Sequence, residues 1–195
     1  MSRSLSLRNR QRVCRVDPAL LRRITRWIFR EQLRLAHFDL CLHLVAAPEM
    51  ARLNETFLRH SGSTDVITFD YTGPEDHIPS PEIRMGRGDR GGETPQANAV
   101  TPMSGELFIC LDEAVTQARQ FRTTWQREVV RYLIHGLLHL CRHDDLRPAA
   151  RRRMKREENR LLRRISSRFR LVQLGTRNPK HGPSGPALRR PDPAG

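Results

Sequence analysis

Two periods of apolar residues alternate along this chain, and each change of period predicts a new element. Leu20, Leu21, Ile24, Trp27 and Ile28 recur at helical spacing, because residues three and four apart share one helix face. Asp17 is the predicted cap of this helix and Pro18 its first-turn residue. Residues 38–45 (FDLCLHLV) alternate instead, which is the period of a strand. Residues 47–59 return to helical spacing with Met50, Leu53, Phe57 and Leu58 inward, and residues 64–71 (TDVITFDY) are rich in β-branched and aromatic side chains, predicting a second strand. Residues 72–104 break the pattern. Gly, Pro and charge dominate there, as in a long surface loop or insertion that is partly disordered.

Beyond the loop, the pattern predicts a short third strand over 106–111 and a helix over 112–120 capped by Asp112. A helix over 125–140 follows, capped by Thr123 or Thr124, then a final helix over 146–169 with Leu161, Leu162 and Ile165 as its apolar contacts. From Gly175 on, Pro and Gly dominate. The predicted organisation is a basic N-terminal segment over 1–14, one domain over 15–170, and a disordered basic Pro/Gly-rich tail over 171–195.

Charge sharpens the picture at the C-terminal end. The formal net charge is +14, and residues 146–195 hold 15 of the 35 Lys+Arg but only 3 of the 21 Asp+Glu. A basic segment of this kind favours a polyanion, with RNA or DNA foremost. Arg151, Arg152, Arg153, Lys155 and Arg156 are the candidate contacts to a nucleic-acid backbone; a solvated helix face is the plain alternative. No apolar run approaches the ~18 residues of a membrane span, and Met1–Val13 lacks an apolar signal region. A membrane is therefore not an expected partner. Cys14, Cys41, Cys110 and Cys141 are scattered without a C-x-x-C pair, so reduced thiols in the cytoplasm are expected.

The candidate chemistry lies in residues 135–145, H-G-L-L-H-L-C-R-H-D-D. Histidines four apart on a helix lie one turn apart on one face, so His135 and His139 can converge on a single metal ion, as in H-E-x-x-H metalloproteases. A catalytic zinc takes three protein ligands and keeps one open position. Cys141, His143, Asp144 and Asp145 follow in the turn, and the spacing alone does not choose among them. Cys141 is expected to pack, since a fourth ligand would close the site to water. The residue after the first histidine is Gly136, where a metalloprotease has its general base, and this counts against a zinc metalloprotease.

With these residues in hand, the chain resembles the YbeY family of bacterial endoribonucleases and rRNA maturation factors. The family signature H-G-x-L-H-L-x-G-Y-D-H is matched by residues 135–145. Leu53-Asn54 with Arg59, and then residues 63–69 (STDVITF), resemble L-N-x-x-x-R and T-D-V-L-S-F. Residues 105–109 (GELFI) resemble G-D-I-x-I, and Met154 and Glu157 resemble the Met and Glu of the following helix. The resemblance covers residues 15–165.

It implies an α+β domain with a mostly parallel sheet of about four strands, about five helices and a zincin-like metal helix. It implies one zinc ion on His135, His139 and the residue closing the motif. That residue is Asp145 here, a carboxylate able to replace imidazole, with His143 as the competitor. Arg142 replaces the family's turn glycine, which suggests a turn that does not require a left-handed backbone. Arg59 is the residue the resemblance singles out for catalysis, and Asp65 either orients a ligand histidine or supports the strand turn. The implied activity is single-strand-specific endoribonuclease cleavage in 16S rRNA 3′-end maturation and ribosome quality control. The implied partners are rRNA, the small ribosomal subunit with its proteins, and an Era-type GTPase. A non-catalytic ribosome-assembly factor with a structural zinc is the other reading.

Overall fold

The computed structural model describes residues 3–72 and 103–175. Its elements are β1 (Arg3–Asn9), α1 (Pro18–Trp27), β2 (Phe38–Val45), α2 (Ala47–Leu53), β3 (Val66–Asp70), β4 (Met103–Cys110), α3 (Leu111–Gln120), α4 (Trp125–Leu140) and α5 (Pro148–Arg168). One sheet forms in the order β1-β2-β4-β3. β1, β2 and β4 run parallel, and β3 is antiparallel to β4. This is the α+β class, with a mostly parallel four-stranded sheet and five helices.

Alternation along the strands divides the core in two. Leu40, Leu42 and Leu44 of β2 join Leu107 and Ile109 of β4 in a large cluster with the apolar faces of α1, α4 and α5. Val45, Phe108 and Cys110 turn the other way and pack with Met50, Ile67 and Phe69. Helix α4 lies tightly across the first face. A Cβ added at Gly136 would stand 2.3 Å from Leu107 Cδ1 and 3.2 Å from Thr68 Cγ2. Position 136 is thus where the helix touches the sheet, and it has no room for a side chain.

Helix starts follow local hydrogen bonding. Asp17 Oδ1 accepts from the N–H of Ala19 at 2.8 Å and of Leu20 at 3.1 Å. Thr124, not Thr123, caps α4 by accepting from the N–H of Arg127 at 3.3 Å. Asp112 does not cap α3. Its Oδ2 accepts from the Ala47 N–H at 2.6 Å, tying α3 to the start of α2.

Three boundaries differ from the sequence pattern. Residues 3–9, expected as part of a basic N-terminal segment, form the edge strand β1, and their Leu5 and Leu7 pack on the core. β4 begins at Met103, inside the expected insertion 72–104. Residues Leu171–Leu174, expected in the tail, form a 3-10 turn whose Leu174 is fully buried and accepts from the Asp17 N–H at 2.8 Å. Residues 73–102 and 176–195, the rest of the expected insertion and tail, lie outside the described residues. Among the described residues no helix is long and apolar enough to cross a membrane. All four cysteines are free.

Candidate metal centre

Helix α4 brings the imidazoles of His135 and His139 together with their Nε2 atoms 3.1 Å apart. Asp145 Oδ2 lies 3.8 Å from His139 Nε2, and the three donor atoms all fall within 4.8 Å of one another. Zinc bonds of about 2.0–2.1 Å at tetrahedral angles separate two donors by roughly 3.3 Å, so this set fits one such ion. The three side chains are 27%, 28% and 34% exposed, which leaves the group open on one side. His143 is exposed and lines an adjoining cleft, away from the converging donors. Cys141 packs against the core; burial, then Asp70, pushes its thiol up to about 11.

The turn after α4 delivers Asp145. The His143 N–H bonds to the Leu138 carbonyl at 2.9 Å and the Arg142 N–H to the His139 carbonyl at 2.8 Å. This is the paired bonding of a Schellman motif, whose pivot residue is left-handed. That pivot is Arg142, at φ 63°. The expectation of a turn that does not require a left-handed backbone is therefore overturned: that backbone is kept, and arginine bears its steric cost. Arg142→Gly is expected to raise stability by about 0.5–1 kcal/mol, read as a higher urea midpoint at unchanged slope. Arg151 Nε donates to the Asp145 carbonyl at 2.9 Å and holds the end of the turn.

Behind the histidines stands a carboxylate that sequence reasoning missed. Glu158 is 3% exposed, and its Oε2 lies 3.4 Å from His135 Nδ1. Its Oε1 accepts from Arg131 at 2.7 Å and from Lys155 at 3.0 Å. Burial alone would raise this carboxyl; hydrogen bonds from His135, Arg131 and Lys155 outweigh it and bring the group down to about 2. A carboxylate facing Nδ1 places the hydrogen there and leaves the Nε2 lone pair directed at the donor cluster. Burial and then His135 lower the pKa of His139, against the opposing pull of Asp145 and of the His143 backbone. The glutamate matched in sequence, Glu157, points outward and pairs with Arg160 at 2.5 Å. Glu158→Gln is expected to weaken zinc binding 10–100-fold in a chelator competition.

Arg59 lies elsewhere. It is exposed and left-handed (φ 56°), closing a π-helical turn over Asn54–Leu58 that continues α2. It follows Asn54 by five residues, one more than L-N-x-x-x-R allows, and a π turn is the structure that accommodates one extra residue in a helix. Its side chain makes no hydrogen bond or ion pair among the described residues, and no contact joins it to the histidines. The loop it opens leads to β3. There Asp65 Oδ1 accepts from the Thr64 hydroxyl at 3.1 Å and the Val66 N–H at 3.0 Å, so Asp65 supports the strand turn and touches neither histidine.

A second donor group, Cys41, His43 and Glu106, lies on the opposite sheet face. Arg10, held by Glu49 at 2.7 Å, places its Nη2 3.4 Å from His43 Nδ1. Guanidinium only donates, so Nδ1 accepts and the hydrogen sits on Nε2, facing Glu106 at 3.4 Å. That tautomer offers no lone pair to an ion, and the ring stacks on Phe108 at 4.2 Å. Burial, then Arg10 and Arg8, pushes His43 down to about 4. Protonating it therefore opposes folding. Its full contribution is present above the ordinary value of ~6.5 and is lost as pH falls toward 4, on the order of 3 kcal/mol. Denaturant titrations of His43→Gln are expected to lack that part of the pH slope.

A mostly parallel sheet carrying a helical His-x-x-x-His pair, with a carboxylate on the next turn, defines a small α+β protein with the donor set of a metal-dependent hydrolase. The chain belongs to the endoribonuclease YbeY family, whose model matches residues 6–166. That match begins inside β1. The chain is 31% identical over 126 residues to the endoribonuclease YbeY of Salinibacter ruber, covering 65% of this chain and 69% of that protein. It is 36% identical over 118 residues to that of Phocaeicola vulgatus (60% and 67%) and 30% identical over 151 residues to that of Chlorobium luteolum (77% and 90%). Its fold is similar to the solution structure of a Thermotoga maritima protein, with a TM-score of 0.54 and 18% identity over 91% of this chain and 99% of that one.

Proposed function

We propose that this chain is a zinc-dependent endoribonuclease. It cleaves single-stranded RNA, acts in 16S rRNA 3′-end maturation and ribosome quality control in the cytoplasm, and meets its substrate on the small ribosomal subunit. The observation that carries the reading is the convergence of His135, His139 and Asp145 in a member of an endoribonuclease family.

In this reading His135 and His139 bind zinc through Nε2, and Asp145 binds through a carboxylate oxygen. Zinc, when bound, supplies Lewis-acid polarisation of the phosphodiester and of the attacking water. Glu158 fixes the His135 tautomer, and the Schellman turn fixes Asp145. Arg59, whose guanidinium has no hydrogen bond or ion pair among the described residues, is the fork for the scissile phosphate.

Proteolysis is disfavoured by position 136. A base on that residue would have to occupy the space of Leu107. Incubating the purified chain with single-stranded RNA, duplex RNA and casein tests the reading. Cleavage of the single strand alone is expected; casein cleavage with intact RNA would reverse the assignment.

A further inference from the structure

Beside the metal centre, the turn after α4 and the start of α5 enclose an open cleft of about 510 Å³ lined by Arg142, His143, Arg147 and Arg153. A second cleft of about 440 Å³ continues from it, sharing Arg153 and lined also by Arg156, Arg160 and Arg163. Positions 153, 156, 160 and 163 fall on one stripe of α5, because residues three and four apart share a helix face. From Arg153 to Arg163 the helix rises about 15 Å. Six arginines line the two clefts and meet two carboxylates, Asp144 and Glu157. Glu157 pairs with Arg160, which is further held by Gln32 at 3.3 Å.

Two cations of the 151–156 cluster are engaged elsewhere. Lys155 faces Glu158, and Arg151 holds the Asp145 carbonyl. The cluster at 151–156 is therefore not one patch. Only Arg153 and Arg156 of it line the clefts.

We infer that the arginine stripe Arg142–Arg147–Arg153–Arg156–Arg160–Arg163 is a phosphate-binding track that guides a single RNA strand along α5 to the metal centre. The inference rests on the endoribonuclease reading and adds the path of the substrate. The stripe is one helix wide and starts at the turn that carries Asp145. A strand lying in it passes its phosphates over successive guanidiniums and ends at the turn that carries Asp145. A duplex presents phosphates on two strands across a broad face, which a single stripe does not match.

The test is binding of an uncleavable 2′-O-methyl single-stranded oligonucleotide, by fluorescence anisotropy over a salt series. Each phosphate contact contributes about 0.7 to the slope of log K against log salt for a single strand. The variant Arg147→Ala/Arg153→Ala/Arg163→Ala is expected to lower that slope by roughly 2. A control with the same charge change off the stripe, Arg23→Ala/Arg26→Ala/Arg30→Ala, is expected to leave it unchanged. The side chains changed in both variants are exposed, and thermal melts are to check that each variant folds. An equal drop in both triple variants would mean that overall charge binds the strand, and would overturn the track. Equal affinity and slope for a duplex of the same length would also overturn it. RNA cleavage by the wild type, measured alongside, separates the two claims: a track without cleavage sinks the enzyme reading, and cleavage without a track sinks only this inference.

Discussion

His139→Ala abolishes both metal binding and RNA cleavage while the fold survives. The expectation follows from the position of the ring. His139 Nε2 is the donor common to the two separations, 3.1 Å to His135 and 3.8 Å to Asp145. Removing it leaves a histidine and a carboxylate that no longer enclose one ion. Its side chain is 28% exposed, so the truncation opens no cavity in the core. Zinc measured by mass spectrometry on the purified variant should fall to background, and cleavage should fall with it. The urea midpoint should change only by the contribution of the lost metal. A variant that keeps its zinc and its activity would remove His139 from the site.

Arg59→Glu is expected to reduce cleavage by roughly two to three orders of magnitude, the usual cost of losing one transition-state donor. Arg59 is exposed and its side chain makes no hydrogen bond or ion pair among the described residues, so stability and zinc content should stay at wild-type levels. This separation of activity from fold also discriminates the ribosome-assembly reading, in which the charge reversal leaves rRNA maturation intact. Single-turnover cleavage with zinc stoichiometry on the same sample measures it.

Strong periodicity was legible in the chain; weak or reversed local signals were not. The β2 alternation and the Leu133–Leu140 face of α4 state their geometry directly, since burial on one side demands it. β1 carries the same alternation in Ser4-Leu5-Ser6-Leu7, but the flanking arginines gave it the look of a basic arm. As an edge strand it buries one face only, so charge on the other face is unremarkable. Asp112 reads as a helix cap by residue type. Its carboxylate reaches a distant N–H instead, a tertiary choice invisible to local rules. Arg142 misled for a related reason. The hydrogen bonds of the Schellman turn outweigh the modest cost of a left-handed arginine, so the loss of glycine did not change the backbone.

The glutamate behind His135 did have a signal. Glu158 is four residues from both Met154 and Leu162 and lies near the centre of the buried stripe of α5, whereas Glu157 lies at its edge. A charged residue in phase with an apolar stripe must find partners inside, and Glu158 finds His135, Arg131 and Lys155. The π turn before Arg59 did leave a signal, the one extra residue between Asn54 and Arg59 relative to L-N-x-x-x-R, but the residue types at 54–58 do not say that a helix absorbs it.

The central claim is that His135, His139 and Asp145 together hold the metal on which RNA cleavage depends. Zinc per chain in purified Asp145→Ala and His143→Ala tests it most directly. The account predicts loss of zinc and cleavage in Asp145→Ala and retention of zinc in His143→Ala. Full zinc in Asp145→Ala with loss in His143→Ala would contradict it and move the third ligand to His143.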